Sequence, residues 1–470
     1  MSDKNLVDTL LNLDKKKITY VCWKNISELN SSLIGLSDLD LFVPNIYKSK
    51  FIDYLESESW IELINPISEY PGIKHFYKLG KNSNFYHIHV YFKLITGNSW
   101  IKEYILPFDD WIVENREWNS EYKIWVLNSS SQAYLFIFRH FLKNSSIIGR
   151  ILYKKNFFFY KKEWEFIYKK FDKKIEGPID IKNFYHSSGV LENKLELPKL
   201  LSAMQFRKLC NSYLRFNSFL ILFNYYKSFI KRFFNKLFFR RKKILPKKGI
   251  IIAISGVDGS GKTTMLKEIN NLLSKIFTIN QFHLGRPLGS ILEFLWRNLG
   301  NKSKDSNMPG TINYSTSSPM GRALNSIILG FFRFLIAKKI KKKSNSGILI
   351  LTDRWPTSQI GKMDGPRIII SKNSNFIIHF CKKVEQWLYN KMPKADICYV
   401  LTVPLETALE RNRLRIKKNK ETQKHIRARY LRNESFKPIA NKTIYFENIE
   451  KMEINSRELI NNIWNEIKKI

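Results

Sequence analysis

The chain has 470 residues, 44% of them hydrophobic, and a formal charge of +38 from 79 Lys and Arg against 41 Asp and Glu. That length exceeds one ordinary domain, and the apolar share supports packed cores, which excludes a disordered or fibrous chain. The charge favours anionic partners, and four scattered cysteines (Cys22, Cys210, Cys381 and Cys398) exclude a disulfide framework and a zinc module. The first residues carry no apolar run suited to export, and no stretch reads as a long uncharged apolar segment. The expectation is a cytoplasmic protein with no membrane span. Residues 3–17 predict an amphipathic helix, with Leu6, Leu10, Leu11 and Leu13 spaced for one face, and residues 18–23 predict a strand. Next comes G-L-S-D-L-D-L-F-V, Gly35 to Val43. Asp38 and Asp40 lie two apart on a predicted strand, so their carboxylates project from one face. Two such groups can hold Mg²⁺ against a triphosphate.

This stretch resembles the S-D-x-D signature of the nucleotidyltransferase superfamily, over residues 1–145. The resemblance implies a mixed α/β domain with a metal-triphosphate site at Asp38 and Asp40. Where that family places a Gly-Ser pair, the chain reads Trp23-Lys24-Asn25. Where a later strand should bring a third carboxylate, residues 85–92 offer His87 and His89. The expectation is a nucleotidyltransferase fold with little or no transfer activity. His87 and His89 share a face, and with two ligands in sight they read as packing residues rather than a metal site.

Residues 100–122 read as aromatic, charged and irregular. Residues 129–142 and 149–171 read as helices, and 178–198 as a connector. From Lys199 to Lys248 the chain holds 14 Lys or Arg and no Asp or Glu. Within it, Phe216, Phe219, Leu220, Phe223, Tyr226, Ile230, Phe233 and Leu237 follow helical spacing. Asn217, Asn224, Lys227, Lys231, Asn235 and Lys236 occupy the other face, and Arg240-Arg241-Lys242-Lys243 close the run. Such a helix suits an anionic membrane surface, at the inner face of the membrane, or packing against a domain with a solvated basic side. Residues 146–247 are thus expected as a basic, aromatic helical connector.

The next stretch, Gly256 to Thr264, reads G-V-D-G-S-G-K-T-T. A strand pattern precedes it and a helical pattern, residues 265–276, follows, which is the context that gives G-x-x-x-x-G-K-[ST] its meaning. Gly256, Gly259 and Gly261 let the backbone curl around phosphates and point its N–H groups inward, Ser260 and Thr264 belonging to the same cradle, while Asp258, with Asp353, can position acceptor or metal water. The helix N-terminus adds partial positive charge. Lys262 can reach the outer phosphates of ATP, and Thr263 can offer its hydroxyl to Mg²⁺. Predicted strands at 249–254, 278–284, 347–352, 397–403 and 443–446 alternate with helices, so residues 248–470 predict a doubly wound parallel sheet with its ligand at the strand C-terminal ends. Residues 301–319 are polar and expected as a mobile loop, and 321–341 as a helix. The strand at 347–352 delivers Asp353-Arg354-Trp355. Asp353 can serve Mg²⁺ or its waters, and Arg354 can grip an acceptor phosphate with its fork of donors.

Here the chain resembles thymidylate kinase. The resemblance rests on G-V-D-G-S-G-K-T-T, on D-R-W-P-T-S from Asp353 to Ser358, and on L-T-V-P-L-E-T-A-L-E-R-N-R-L-R from Leu401 to Arg415. It implies that Trp355 and Ser358 take the places of the family's aromatic and serine, that Arg411 contacts the donor nucleotide, and that Arg413 and Arg415 belong to a lid. Two positions depart from the family. Ser255 stands where an acid precedes the first loop glycine, and Gly361-Lys362-Met363 stand where the thymine-reading A-Y-Q belongs. The implied activity is Mg-ATP-dependent phosphoryl transfer to a phosphate-bearing acceptor, by default a nucleoside monophosphate such as dTMP. Alternatives are a sugar or surface-glycan acceptor at the membrane, and a non-catalytic nucleotide-binding protein. Nucleic acid is not an expected partner, and an oligomer is left open.

Overall fold

The run Asp38-Leu39-Asp40-Leu41-Phe42 alternates carboxylates with large apolar side chains, and this period of two makes it a strand. A computed structural model describes residues 6–171, 175–188, 194–285, 319–370, 375–414 and 423–470. It forms two compact units, Met1–Lys243 and Ile244–Ile470. In the first, β1 (Val21–Cys22), β2 (Asp38–Phe42), β3 (Ile61–Glu62), β4 (Ile73–Leu79) and β5 (Phe85–Tyr91) belong to one sheet. A ribbon of β6 (Leu94–Thr96) and β7 (Tyr104–Leu106) follows, and then β8 (Arg116–Asn119) and β9 (Ile124–Leu127) complete the sheet. Its order is β3-β4-β5-β2-β1-β9-β8. β2 runs parallel to β5, setting Asp38 beside His87 and Asp40 beside His89.

The helix Ser129–Asn144 starts at Asn128, whose side chain accepts from the Ser131 amide at 2.9 Å. Tyr134, Ile137, Phe138 and Phe141 are all at 0% exposure, so it is a core helix wrapped on several sides. Trp164 and Phe206, from residues expected as a connector, pack in the same core. Residues 149–171 are two helices, Ile147–Lys155 and Phe157–Lys170. Residues 100–122, expected as irregular, contain β7, the helix Asp109–Glu114 and β8. These elements are three to six residues long, too short to show a period.

The second unit carries β10 (Ile251–Gly256), β11 (Ile279–His283), β12 (Leu349–Asp353), β13 (Ala395–Thr402) and β14 (Ala440–Glu447). They form a wholly parallel sheet in the order β11-β12-β10-β13-β14. The central strand β10 is buried at every residue, because a strand covered on both faces can be apolar throughout. The α/β class read from the sequence is therefore the class of this unit. The helix Pro319–Ser344 is, over Met320–Ser344, long and apolar enough to cross a membrane by length and composition, and 33% of its most apolar 18-residue window is buried. The sequence reading expected no such segment because it found no long uncharged apolar run; this helix carries Arg322 and Arg333. Here Ala337 and Ile340 sit in the core and Arg333 is 2% exposed, so the helix packs as part of the fold. Arg415 and residues 301–318 lie outside the described residues.

Candidate functional site

The loop after β10 is shaped by what presses on it. Gly259 and Gly261 both have φ of 87°, a region L side chains rarely adopt. A Cβ on Gly259 would stand 2.6 Å from the Ala408 carbonyl oxygen, and one on Gly261 would stand 2.4 Å from Nδ2 of Asn448. Asn448 is 2% exposed and fastens the loop from outside. Its Nδ2 donates to the Ser260 carbonyl at 2.8 Å, its Oδ1 accepts from Asn455 at 2.8 Å, and its carbonyl accepts from Arg411 at 3.0 Å. Arg411 thus reaches the edge of the loop. Arg413 ends the same helix, Leu405–Arg413.

Lys262 opens the helix Lys262–Leu273 and is 8% exposed, with Nζ donating to the Val257 carbonyl at 2.7 Å. Burial, with Arg354 adding repulsion, pushes its ammonium down to about 8. Thr263 and Thr264 are exposed at the helix start.

The neighbouring strand ends at the same level, since β10 and β12 pair with Ile254 beside Asp353. Arg354 has φ of 72°, rare for a residue with a side chain and typical of functional sites. Its guanidinium lies 3.5 Å from Asp258 Oδ1 and 3.4 Å from Asp364 Oδ2. Asp364 also takes Arg333 at 2.6 Å, and Asp258 also takes Arg429. Burial pushes the Asp258 carboxyl up, but Lys262, Arg354 and Arg429 together hold it below its ordinary value. Burial likewise acts against the charged form of Asp353, but the 2.9 Å hydrogen bond with His283 and the charges of His283, Arg354 and Lys262 together hold its carboxyl below the ordinary value. The other oxygen of Asp353, Oδ1, is buried with no hydrogen-bond partner.

The structure thus gathers Gly256, Asp258, Gly259, Ser260, Gly261, Lys262, Asp353, Arg354 and Arg411 around one loop. It adds His283, Arg333, Asp364, Arg429 and Asn448, which the sequence reading did not assign. His283 had one available signal, its place at the C-terminal end of a parallel strand. Trp355 is fully buried and its amide donates to Ser255 Oγ at 3.1 Å, so Ser255 braces this turn. Lys362 donates to the Arg432 carbonyl at 2.5 Å, and the Met363 amide donates to Asn433 at 2.7 Å. Gln359 is likewise occupied, by Ser435 and Lys437.

The first unit brings Asp38, Asp40 and His89 together, with ligand atoms within 4.8 Å of one another. His89 Nδ1 is 2.9 Å from Asp40 Oδ1 and 3.5 Å from Asp38 Oδ2. Lys24 is already in place: its Nζ is 2.9 Å from Asp40 Oδ1, and Asn25 Nδ2 is 2.5 Å from Asp40 Oδ2. Burial pushes the Asp40 carboxyl up, yet Lys24 and His89 draw it far below the ordinary range. The same ammonium donates to Tyr91 OH at 2.8 Å. His87 stacks on Tyr77 at 4.2 Å, and burial pushes it down to about 3. His75, unassigned from sequence, stacks on His89 at 4.3 Å.

No protein-family model matches the chain. Over 176 residues the chain is 26% identical to "Uncharacterized ATP-binding protein YghR" of Escherichia coli strain K12, covering 34% of this chain and 68% of that protein. Over 164 residues it is 29% identical to "Uncharacterized ATP-binding protein YghS" of the same strain, covering 30% of this chain and 65% of that one. The chain therefore spans about two thirds of each relative's length.

The packing on the loop makes one expectation testable without any ligand. Gly261→Ala places a Cβ against Asn448 at a left-handed backbone position, and is expected to destabilise the second unit by about 1–3 kcal/mol. A urea melt reads this as a lower midpoint at unchanged slope, and an unchanged midpoint would show that Asn448 does not fix the loop.

Proposed function

We propose that the second unit binds ATP and transfers its γ-phosphoryl group to a phosphate-bearing acceptor, as the resemblance to thymidylate kinase implies. The observation that carries this is the buried Lys262 beside Asp353 and Arg354, at the joined ends of two parallel strands. The names of the two relatives support the nucleotide-binding part of the reading.

In this reading the loop amides and Lys262 hold the donor phosphates, and Arg411 steadies the donor end. Arg354 holds the acceptor phosphate, whose oxygen attacks the γ-phosphorus as the bond to ADP breaks. Arg413, Arg415 and Arg429 spread the charge that builds on the transferring group. No side chain becomes a covalent nucleophile. The unpartnered Asp353 Oδ1 and the exposed Thr263 are an all-oxygen donor set that fits Mg²⁺. When bound, the ion would neutralise charge on the β- and γ-phosphates.

The default acceptor is a nucleoside monophosphate such as dTMP. A second acceptor class, a sugar or surface-glycan intermediate, is favoured by one observation. The Gln359 and Lys362 side chains and the Met363 amide bond to residues 432–437. That occupies the two polar side chains, Gln359 and Lys362, that could otherwise read a thymine edge. Labelled ATP with a panel of both acceptor classes separates the two, and silence with tight ATP binding would leave a nucleotide sensor.

Lys262→Ala is expected to lower phosphoryl transfer by at least about 10²–10³-fold with the fold intact, since it removes one charge aimed at the phosphates. Wild-type turnover in that variant would defeat the assignment of the loop.

The lowered pKa of Lys262 gives a pH signature. Unliganded, the lysine keeps its proton below about pH 8 and loses it above, whereas bound phosphates hold the proton on. Binding above pH 8 must therefore take up a proton, and affinity falls by up to about tenfold per pH unit there. Calorimetry from pH 7 to 10 is expected to show a flat region and then a decline. A rise with pH would contradict the placement of the charge.

For the first unit we propose a nucleotidyltransferase-like fold with little or no transfer. Lys24 already neutralises Asp40, so a divalent ion must displace an ammonium to reach both carboxylates. Wild-type protein is expected to incorporate none of the labelled nucleoside triphosphates into the acceptor panel. Incorporation by wild type that Asp38→Asn/Asp40→Asn lacks would overturn this.

A further inference from the structure

The helix Ser218–Phe234 is anchored by one narrow stripe. Ile221, Tyr225 and Ser228 are its buried residues, spaced by four and three as one face of a helix. Ile221 and Tyr225 pack with Ile101, and Ser228 Oγ donates to the Trp100 carbonyl at 3.2 Å. Arg232 donates back to Ser228 at 3.3 Å. The helix is therefore fixed on the unit in one orientation.

That orientation leaves the aromatic side outward. Phe219, Phe223, Tyr226, Ile230 and Phe233 recur by four and three, roughly half a turn from the anchored stripe. Phe219 is 75% exposed, Leu222 68% and Tyr226 65%. The stripe continues through the wide turn Asn235–Phe239, where Leu237, Phe238 and Phe239 are also exposed. Arg240, at φ 47°, ends the turn, and Asn235 ties it down through two bonds with Arg241. So much apolar surface on a built element calls for a partner.

The charges say which partner. Residues 216–243 hold eight Lys or Arg and no Asp or Glu. Lys227 and Lys231 flank the aromatic stripe and are exposed, and Arg240, Arg241 and Lys242 follow it. A second copy of this chain would bring two such basic clusters face to face. A nucleic acid would need cations on the contacting face itself, and here that face is apolar. An interface of acyl chains below anionic headgroups takes both parts at once.

We propose that the outward face of this helix and its terminal turn docks on an anionic phospholipid surface, with Phe219, Phe223, Tyr226 and Phe233 at the level of the acyl boundary and the flanking cations among the headgroups.

The test is flotation of the full chain with vesicles of phosphatidylcholine alone and of phosphatidylcholine with phosphatidylserine. Partition onto the anionic vesicles is expected to exceed that onto neutral ones by about tenfold or more, and to weaken as salt is raised. Phe223→Glu/Phe233→Glu, both outward and outside the core, is expected to lower it by about tenfold with an unchanged urea midpoint. Lys227→Gln/Lys231→Gln/Lys236→Gln is expected to remove the preference for the anionic vesicles and leaves the apolar face intact, which covers the case of a misfolded first variant. Equal partition onto both vesicle types, no partition, or wild-type partition by both variants would overturn the proposal. So would a lipid-free dimer of the wild type that the phenylalanine variant abolishes.

Discussion

A charged ammonium buried at the end of an apolar strand has to be answered by something, and in the second unit this need orders the surroundings. Among the described residues Lys262 finds only a backbone carbonyl as a direct partner. The nearby carboxylates are committed elsewhere: Asp258 to Arg354 and Arg429, Asp353 to His283, and Asp364 to Arg333 and Arg354. Cations thus outnumber the anions that could quench them, in a place where the low dielectric strengthens every charge. An incoming polyphosphate supplies what is lacking. The loop glycines, the Asn448 brace and Arg354 at φ 72° hold these groups in one arrangement.

The first unit meets a similar demand in the opposite way. Asp40 is a buried carboxylate, and its own chain answers it with Lys24, His89 and Asn25. One unit keeps an excess of positive charge at its loop, while the other closes its negative charge internally. The contrast explains why similar short signatures, an acid pair and a glycine loop, support different readings once their neighbours are in view.

Legibility from sequence followed the span of the interactions. The phosphate loop is contiguous, and strand, turn, Lys262 and helix all lie within one stretch, so its fold could be read directly. Asp353 and Arg354 were readable because a buried strand pattern delivers them to a known end of the sheet. Arg429 was not: it meets Asp258 across 171 positions, and nothing local marks it among its neighbouring arginines. Asn448 looks like an ordinary loop residue until β14 pairs with β13 and carries it to the loop. On the helix Ser218–Phe234 the apolar spacing was legible, but not its direction. The stripe that reads as the packing face is the exposed one, and the anchors are Ile221, Tyr225 and Ser228.

Arg333 gives the helix Pro319–Ser344 its address. By length and composition this segment is long and apolar enough to cross a membrane, and a guanidinium near the middle of such a span adds about 2.5–3.5 kcal/mol to the cost of insertion. The same guanidinium has three partners waiting in the folded unit: Asp364, the Tyr389 hydroxyl and the Leu284 carbonyl. One residue therefore makes hydrocarbon the worse solvent and the protein interior the better one.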